Sequence, residues 1–183
     1  MTPSGRPSWN PSTVGICRDV EGDRAAQHSE LSKRRYCAGD WFAVPLRDGG
    51  FAIGVVARVS TGGVLLGYFF GPKVDVVPSL DAVGELRATD AVMVRRFGHL
   101  GLEQGKWPIL GRLATWEPAA WPMPVFVRYE ELSGRSFRVV YADDNPNELL
   151  REQQVPPGDS EQGPKDGMLG AGAVEKVLTG LLR

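Results

Sequence analysis

The sequence is poor in the residues that most enzymes use for chemistry. It has only two histidines, His28 and His99, and two cysteines, Cys17 and Cys37. A zinc site needs several such ligands at short spacing, and nucleophilic hydrolysis needs a base, which is most often histidine. The cysteine spacing is typical of neither a metal site nor a redox pair. We therefore expect unpaired thiols, no metal, no cofactor and no catalytic residues, which favours a binding protein over an enzyme.

Long apolar runs and an excess of charge of either sign are also missing. No stretch approaches the ~18 apolar residues needed to span a bilayer, and the N-terminus lacks the basic start and apolar run of a signal peptide. These absences predict a cytoplasmic protein that makes no use of the membrane. The formal net charge of -1 argues against a general nucleic-acid binder, which needs a basic surface.

The amino-acid composition changes near residue 38. Residues 1–37 contain prolines, serines and a charged run with few apolar residues, a composition that predicts a flexible leader. Residues 38–183 are predicted to form one β-rich domain, because short runs of β-branched and aromatic residues alternate there with glycine-containing turns such as Asp48-Gly49-Gly50. The candidate strands are WFAVPL, FAIGVVARV, VLLGYFFG, AVMVRRF, PILGRLATW, PVFVRYEEL and SFRVVYA.

Six to seven strands at this spacing predict a mainly β (α+β) fold, with a single curled antiparallel sheet or a small barrel. Gly54 and Gly67 lie inside strands and are expected to mark bulges or bends. The polar segment after Tyr141 is predicted to be loop with one short element around residues 148–153. Apolar residues at 174, 177, 178 and 181 have helical spacing and predict a C-terminal helix that packs on the sheet.

The aromatic residues exceed what one face of a small sheet must bury. Strand alternation places Tyr68 and Phe70 on one face and Phe69 on the other. Either one of these faces is exposed and forms a binding surface, or the barrel interior and the C-terminal helix cover both. Arg95 and Arg96 then form, with Lys73 and Arg47, either a basic rim suited to single-stranded nucleic acid or an ordinary solvated edge.

Two groups of ionisable residues remain as candidates for chemistry. Asp143 and Asp144, with Glu148, fit either a divalent-cation or acid–base site or a solvated turn, since Asp and Asn commonly open turns. His99 has no serine or cysteine near it in sequence, so a catalytic role depends on tertiary contacts, and the alternative is a loop or packing residue.

Five segments, in this order, carry a resemblance to a known family. They are GDWFAVPLRDGGFAIGVVAR, LLGYFFGPK, FGHLGLEQGKWPILG, WPMPVFVR and PKDGMLGAGAVEKVL. Together they resemble the immunity-protein-26 family of bacterial polymorphic-toxin systems, from about Gly39 to the C-terminus. The proline- and serine-rich leader departs from the family pattern. The pieces are structural in character, and none is a catalytic motif.

The resemblance implies a small cytosolic protein, encoded beside a toxin, that binds this cognate toxin and blocks it. It supplies no binding residues, so we select them from the surface chemistry expected above. The residues expected to contribute to toxin binding are Tyr68, Phe70, Lys73, Arg95, Arg96, Trp107, Asp143 and Asp144.

If Asp143 and Asp144 dominate this binding, the active face of the toxin should be basic, as in a nuclease. One alternative is a small β-barrel module that binds single-stranded nucleic acid or a small ligand through the aromatic face. Another is a hydrolase or deaminase-like enzyme that uses His99 with a carboxylate.

Overall fold

The structure is a computed structural model that describes residues 36–156 and 163–183. The predicted leader, apart from Tyr36 and Cys37, lies outside the described residues. The strands are β1 (Asp40–Pro45), β2 (Phe51–Val59), β3 (Val64–Val74), β4 (Met93–Gly98), β5 (Ile109–Arg112), β6 (Phe126–Glu130), β7 (Arg135–Tyr141), β8 (Leu149–Val155) and β9 (Met168–Leu169). The helices are α1 (Leu100–Glu103) and α2 (Ala171–Leu181).

The first sheet has six strands in the order β5-β1-β2-β3-β4-β9. Its centre is the antiparallel meander β1 to β4, and the parallel strand β9 closes one side against β4. The turn between β1 and β2 places Gly49 at φ 90° and Gly50 at φ 74°, in the left-handed region that glycine adopts without a steric penalty. The hairpin predicted from Asp48-Gly49-Gly50 is thereby confirmed.

The second sheet has three antiparallel strands, β6-β7-β8. The mainly β fold with a C-terminal helix is confirmed, but the single sheet or small barrel is wrong, because the strands divide into two sheets and no barrel closes among the described residues. The physical reason is residues 113–125, which separate β5 from β6. This segment carries the chain away from the edge of the first sheet. Strand β6 then pairs with β7 in a separate sheet and not with a strand of the first sheet.

Side-chain alternation gives the first sheet two buried faces. One face carries Phe42, Phe69 and Phe97, which pack in one core with Val174 and Leu178 of α2. The opposite face forms a second core with the second sheet, and this core includes Trp41, Tyr68, Phe70, Phe126 and Tyr141. The first sheet is therefore the middle layer between helix α2 and the second sheet.

Gly67 lies opposite a bulge, because it pairs with Val56 at the start of one register shift, whereas Gly54 lies outside both shifts. The register shifts between β2 and β3 fall at Phe51/Ile53 and Val56/Arg58. A Cβ on Gly54 would lie 2.5 Å from the Phe42 ring, and one on Gly67 would lie 2.6 Å from the Phe97 ring. These glycines leave room for aromatic rings that pack closely against the backbone.

Helix α2 docks as predicted, with Val174 and Leu178 fully buried. Trp107 fixes it further, because its indole N–H donates to Glu175 Oε1 at 3.0 Å. Near the start of the described residues, Cys37 is disulfide-bonded. The expectation of an unpaired thiol is therefore wrong for Cys37, because sequence spacing does not report distance in space.

Candidate functional site

A surface cleft lies beside the first sheet, and we call it the tryptophan cleft. It has a volume of about 530 Å³ and lies between residues 84–89 and 113–121. Its aromatic lining is Trp41, Trp116 and Trp121, and its charged lining is Glu85, Arg87 and Glu117. A volume of this size is in the range of protein sites for small ligands or inserted side chains, roughly 300–1,000 Å³.

Two distant parts of the chain bring the tryptophans together. Trp41 comes from β1, whereas Trp116 and Trp121 flank the short 3-10 helix Pro118–Ala120. The Trp116 and Trp121 rings stack with centroids 5.7 Å apart, and Trp121 meets Trp41 edge-on at 5.7 Å. Such aromatic pairs stabilise the lining beyond simple burial.

Trp41 is unusual within this group. Its side chain is 1% exposed, yet its Nε1–H has no hydrogen-bond partner among the described residues. A buried tryptophan N–H is usually paired, since leaving it unsatisfied costs about 1–3 kcal/mol. Trp41, a lining residue of the cleft, therefore holds a buried donor without an acceptor.

An acidic turn, residues 143–148, lies next to the cleft. Its side chains Asp143, Asp144 and Glu148 are exposed. Arg58 joins the turn to the cleft wall, because its guanidinium donates to the carbonyl of Asp143 at 2.6 Å and to the carbonyl of Pro118 at 3.3 Å. Arg58 also pairs with the Asp143 carboxylate at 3.3 Å. The cleft and the acidic turn thus form one region with a fixed geometry.

Tyr68 supports the same region from inside the fold. Its hydroxyl donates to the carbonyl of Pro122, at the end of the segment that carries Trp116 and Trp121. Burial raises the pKa of Tyr68, Arg58 opposes this shift, and Asp143 adds to it. The phenol therefore keeps its proton at neutral pH and holds the cleft wall.

The aromatic residues predicted to form a binding surface are buried in the structure. Tyr68, Phe70 and Trp107 are 4%, 1% and 1% exposed, so a partner does not reach them in this conformation. Both aromatic faces of the first sheet are covered, which was one of the two alternatives left open by the sequence. The platform required for stacking single-stranded nucleic acid is consequently absent from the described faces of this sheet.

The predicted basic residues hold the chain's own C-terminal segment. Arg96 forms a buried ion pair with Asp166 at 3.3 Å, and its guanidinium lies 3.7 Å from the centre of the Tyr141 ring. Arg95 donates to the carbonyl oxygens of Lys165 and Asp166, and burial lowers its pKa while Asp166 opposes that shift.

Lys73 does not join them. It pairs instead with Asp48 at 3.5 Å, in the turn between β1 and β2. Of the eight residues selected from the sequence, only Asp143 and Asp144 are exposed in the region of the tryptophan cleft, while Tyr68 and Phe70 pack beneath its tryptophans.

His99 has a structural role in the described fold. Its Nδ1 lies 3.0 Å from the carbonyl oxygen of Gly63, and its ring packs near Tyr36 at 6.0 Å.

Within residues 36–156 and 163–183, no group of three or more His, Cys, Asp or Glu side chains is placed to hold a metal ion. In the same part of the chain, no helix is long and apolar enough to cross a membrane.

The fold and the cleft together define an open two-sheet β protein with a preformed surface recess. Residues 38–138, more than half of the chain, match the model of the family Immunity protein 26, and the chain belongs to this family. The resemblance seen in the sequence is confirmed from β1 to the middle of β7, while the segment PKDGMLGAGAVEKVL lies beyond the matched residues. No curated protein and no solved structure gives a match.

The residues that define the cleft were largely missed by the sequence reasoning. Trp41, Trp116 and Trp121 were counted only among the aromatic residues that exceed one buried face, and no role was assigned to Glu85, Arg87 and Glu117. The available signal was Trp116 and Trp121 themselves, since a loop that contains two tryptophans and two nearby prolines is stiff and apolar.

Proposed function

We propose that this protein is the immunity protein of a bacterial polymorphic-toxin system, and that it binds and neutralises a cognate toxin without catalysis. Membership of the Immunity protein 26 family carries the proposal. The site geometry supports binding rather than chemistry, because His99 contacts a backbone carbonyl and the cleft contributes aromatic rings and carboxylates. The protein would act in the cytoplasm of the cell that makes the toxin.

The region formed by the tryptophan cleft and the acidic turn is the surface we assign to the toxin. Its exposed carboxylates outnumber its exposed cations. The carboxylates are Glu85, Glu117, Asp143 and Asp144, and the exposed cation is Arg87. Complementary charge steers association and fixes orientation. A basic toxin face, of the kind that binds nucleic acid, is the matching partner.

The test of the function is co-expression with the toxin domain encoded beside this gene. Toxin expressed alone should arrest growth, and co-expression with the full chain should restore growth and give a complex that co-purifies. A toxin that kills equally well in the presence of the chain, and does not co-purify with it, would refute the proposal for that toxin.

The surface has its own test in the variant Asp144→Lys. Asp144 is exposed, so reversing its charge should leave folding intact while slowing association and weakening binding about tenfold at low salt. The matched control is Glu131→Lys, which makes the same change at an exposed position in the turn between β6 and β7. Equal effects of the two variants in a kinetic binding assay would show that the acidic turn does not face the toxin.

A further inference from the structure

We propose that the toxin adds an extended segment to the free edge of strand β8, antiparallel to it, with lysine or arginine at the end of the segment that meets the acidic turn. This inference rests on the proposed function and names how the partner binds. In pairing of this kind, backbone hydrogen bonds supply the affinity and side chains at alternate positions supply the specificity.

Strand β8 has the longest unpaired edge among the described residues. It pairs with β7 from Leu149 to Val155, and no described strand lies on its other side. The outer strands of the first sheet, β5 and β9, have only four and two residues. Adjacent N–H groups of a strand point in opposite directions, so about half of the backbone groups of β8 point away from β7. An open edge of this kind is a template for another chain.

The opposite edge of the same sheet is covered. The N–H of Val127 in β6 donates to the carbonyl of Pro164 at 2.9 Å, and the N–H of Asp166 donates to the carbonyl of Val127 at 2.6 Å. In β8, by contrast, residues 149–154 are all exposed. The described chain therefore closes one edge of the second sheet with its own C-terminal segment and leaves the other edge accessible.

The acidic turn runs directly into the start of β8. The N–H of Ala142 donates to the carbonyl of Glu148 at 2.9 Å, which closes the turn. Asp144 and Glu148 are exposed and form no ion pair with a described residue. Within β8, Arg151 and Glu152 balance each other in charge. Excess negative charge therefore lies at the Leu149 end of the edge and favours a basic end of the partner segment.

Apolar contact is available at the same end. Leu149 and Leu150 are 52% and 60% exposed, beside the turn that carries the charge. Burying them would add to the backbone hydrogen bonds of the paired segment.

A second copy of the chain fits this edge less well than a basic segment. In the antiparallel register that pairs β8 with β8 over its full length, Glu152 lies opposite itself. Like charges directly opposite each other destabilise a strand pair. The same register places Glu148 opposite Pro156, so the acidic turn gains no cation. The charge pattern thus favours a partner of different sequence.

Amide hydrogen exchange of the full chain, followed by nuclear magnetic resonance, tests the edge without any toxin. The β8 amides directed at β7 should exchange slowly and those between them rapidly, at every protein concentration. Slow exchange of both sets in dilute protein would show that the chain itself covers the edge. Slow exchange that appears only in concentrated protein would show self-pairing. Either result would overturn the proposal.

The same measurement is then made on the complex with the toxin domain encoded beside this gene. The rapid set of β8 amides should slow by about tenfold or more, because each would now donate to the toxin backbone. The slow set is the internal control and should stay slow. Rapid exchange that persists in the bound state would show that the toxin docks elsewhere.

Two adjacent proline variants provide a matched pair. Gln153 and Gln154 are both exposed, and only one of their N–H groups points at β7; the exchange rates identify it. Of Gln153→Pro and Gln154→Pro, the variant at the outward N–H should keep the native unfolding midpoint, since an edge strand tolerates proline there. It should weaken toxin binding about tenfold. The variant at the inward N–H should lower the midpoint. Native affinity of the outward variant would contradict pairing at β8.

A peptide probe separates this proposal from the immunity function. The probe is acetyl-Thr-Val-Thr-Val-Thr-Lys-Lys-amide, whose lysines reach the acidic turn when it pairs antiparallel to β8, and the control peptide has glutamate in place of both lysines. At millimolar concentration the lysine peptide should shift the signals of the rapid β8 amides more than the glutamate peptide does. Equal shifts, or none, would count against the edge site.

The two proposals fail in distinguishable ways. If the toxin binds the native chain while the rapid β8 amides stay rapid, the edge inference is refuted and the immunity function stands. If the toxin does not bind but the lysine peptide shifts the β8 signals, the immunity function fails for that toxin and the edge remains a site for a basic extended segment.

Discussion

The buried ion pair between Arg96 and Asp166 offers the sharpest test of the fold. It connects three elements, because Arg96 lies in β4, Asp166 precedes β9, and the Tyr141 hydroxyl of β7 donates to Asp166 Oδ1 at 3.0 Å. The side chains of Arg96 and Asp166 are 11% and 6% exposed. The informative change is Asp166→Asn, which keeps an acceptor oxygen and removes only the charge.

The expected loss follows from leaving a buried cation uncompensated. Removing one partner of a buried ion pair costs about 3–5 kcal/mol. Arg96 keeps its bond to the Pro146 carbonyl at 3.0 Å and its contact with the Tyr141 ring, and Asn keeps the two hydrogen bonds. We therefore expect the lower end of the range, about 3 kcal/mol, or a fall in Tm of roughly 6–12 °C for a chain of this size.

Guanidinium chloride unfolding, followed by tryptophan fluorescence at pH 7, measures this loss. The midpoint should fall with an unchanged m-value, which shows that the effect is on stability rather than on the size of the cooperative unit. The control is the double variant Arg96→Met with Asp166→Leu, which leaves no uncompensated buried charge and should lose less stability than Asp166→Asn.

A loss below about 1 kcal/mol for Asp166→Asn would mean that water screens the pair as it screens surface ion pairs. That result would refute the burial of this contact and, with it, the attachment of residues 163–169 to both sheets. A double variant as unstable as the single one would instead show that packing, and not charge, dominates the site.

Two further variants and one pH profile test other contacts. Gly54→Ala should cost about 1–3 kcal/mol in a denaturant titration because its Cβ would displace the Phe42 ring, whereas Gly180→Ala, on an open side of α2, should be neutral or stabilising by up to about 1 kcal/mol. If the two changes have equal effects, ring packing does not explain Gly54. Burial, opposed by Arg96 and aided by Asp166, raises the pKa of Tyr141 from 10.0 to about 12. Because the folded state holds this proton more tightly, the free energy of unfolding keeps its full contribution from Tyr141 below pH 10.0 and should fall as the pH rises toward about 12. A Tyr141→Phe variant that shows the same fall would contradict this assignment.

Local patterns were sufficient for the elements whose structure depends on neighbours in sequence. The β1–β2 hairpin follows from Gly49 and Gly50, which the turn requires at positive φ. Helix α2 follows from its apolar spacing. Strand β8 was expected only as a short element, because its sequence LLREQQV is exposed along nearly its whole length and therefore lacks the apolar alternation that reveals a half-buried strand.

Long-range contacts decided what the sequence did not predict. An arginine inside a strand suggests a solvated edge, since charged residues are seldom buried unless they are paired. The partner of Arg96 lies 70 positions away, so no local pattern reveals the pair. The cleft depends in the same way on Trp41 meeting Trp121 across 80 residues of sequence, and an unpaired indole N–H becomes visible only in three dimensions.

The hydrogen bonds of Arg58 have a consequence for how a surface of this kind would diversify. One guanidinium fixes the carbonyls of Ala57, Pro118 and Asp143, so the wall of the cleft and the acidic turn keep a constant separation. A lineage that has to follow a changing toxin cannot readily remodel these loops without losing the bonds of Arg58 to Pro118 and Asp143. New specificity would therefore arise by exchange of outward side chains such as Glu117 and Asp144 on an unchanged frame, and related proteins should vary most at those positions while retaining arginine at position 58.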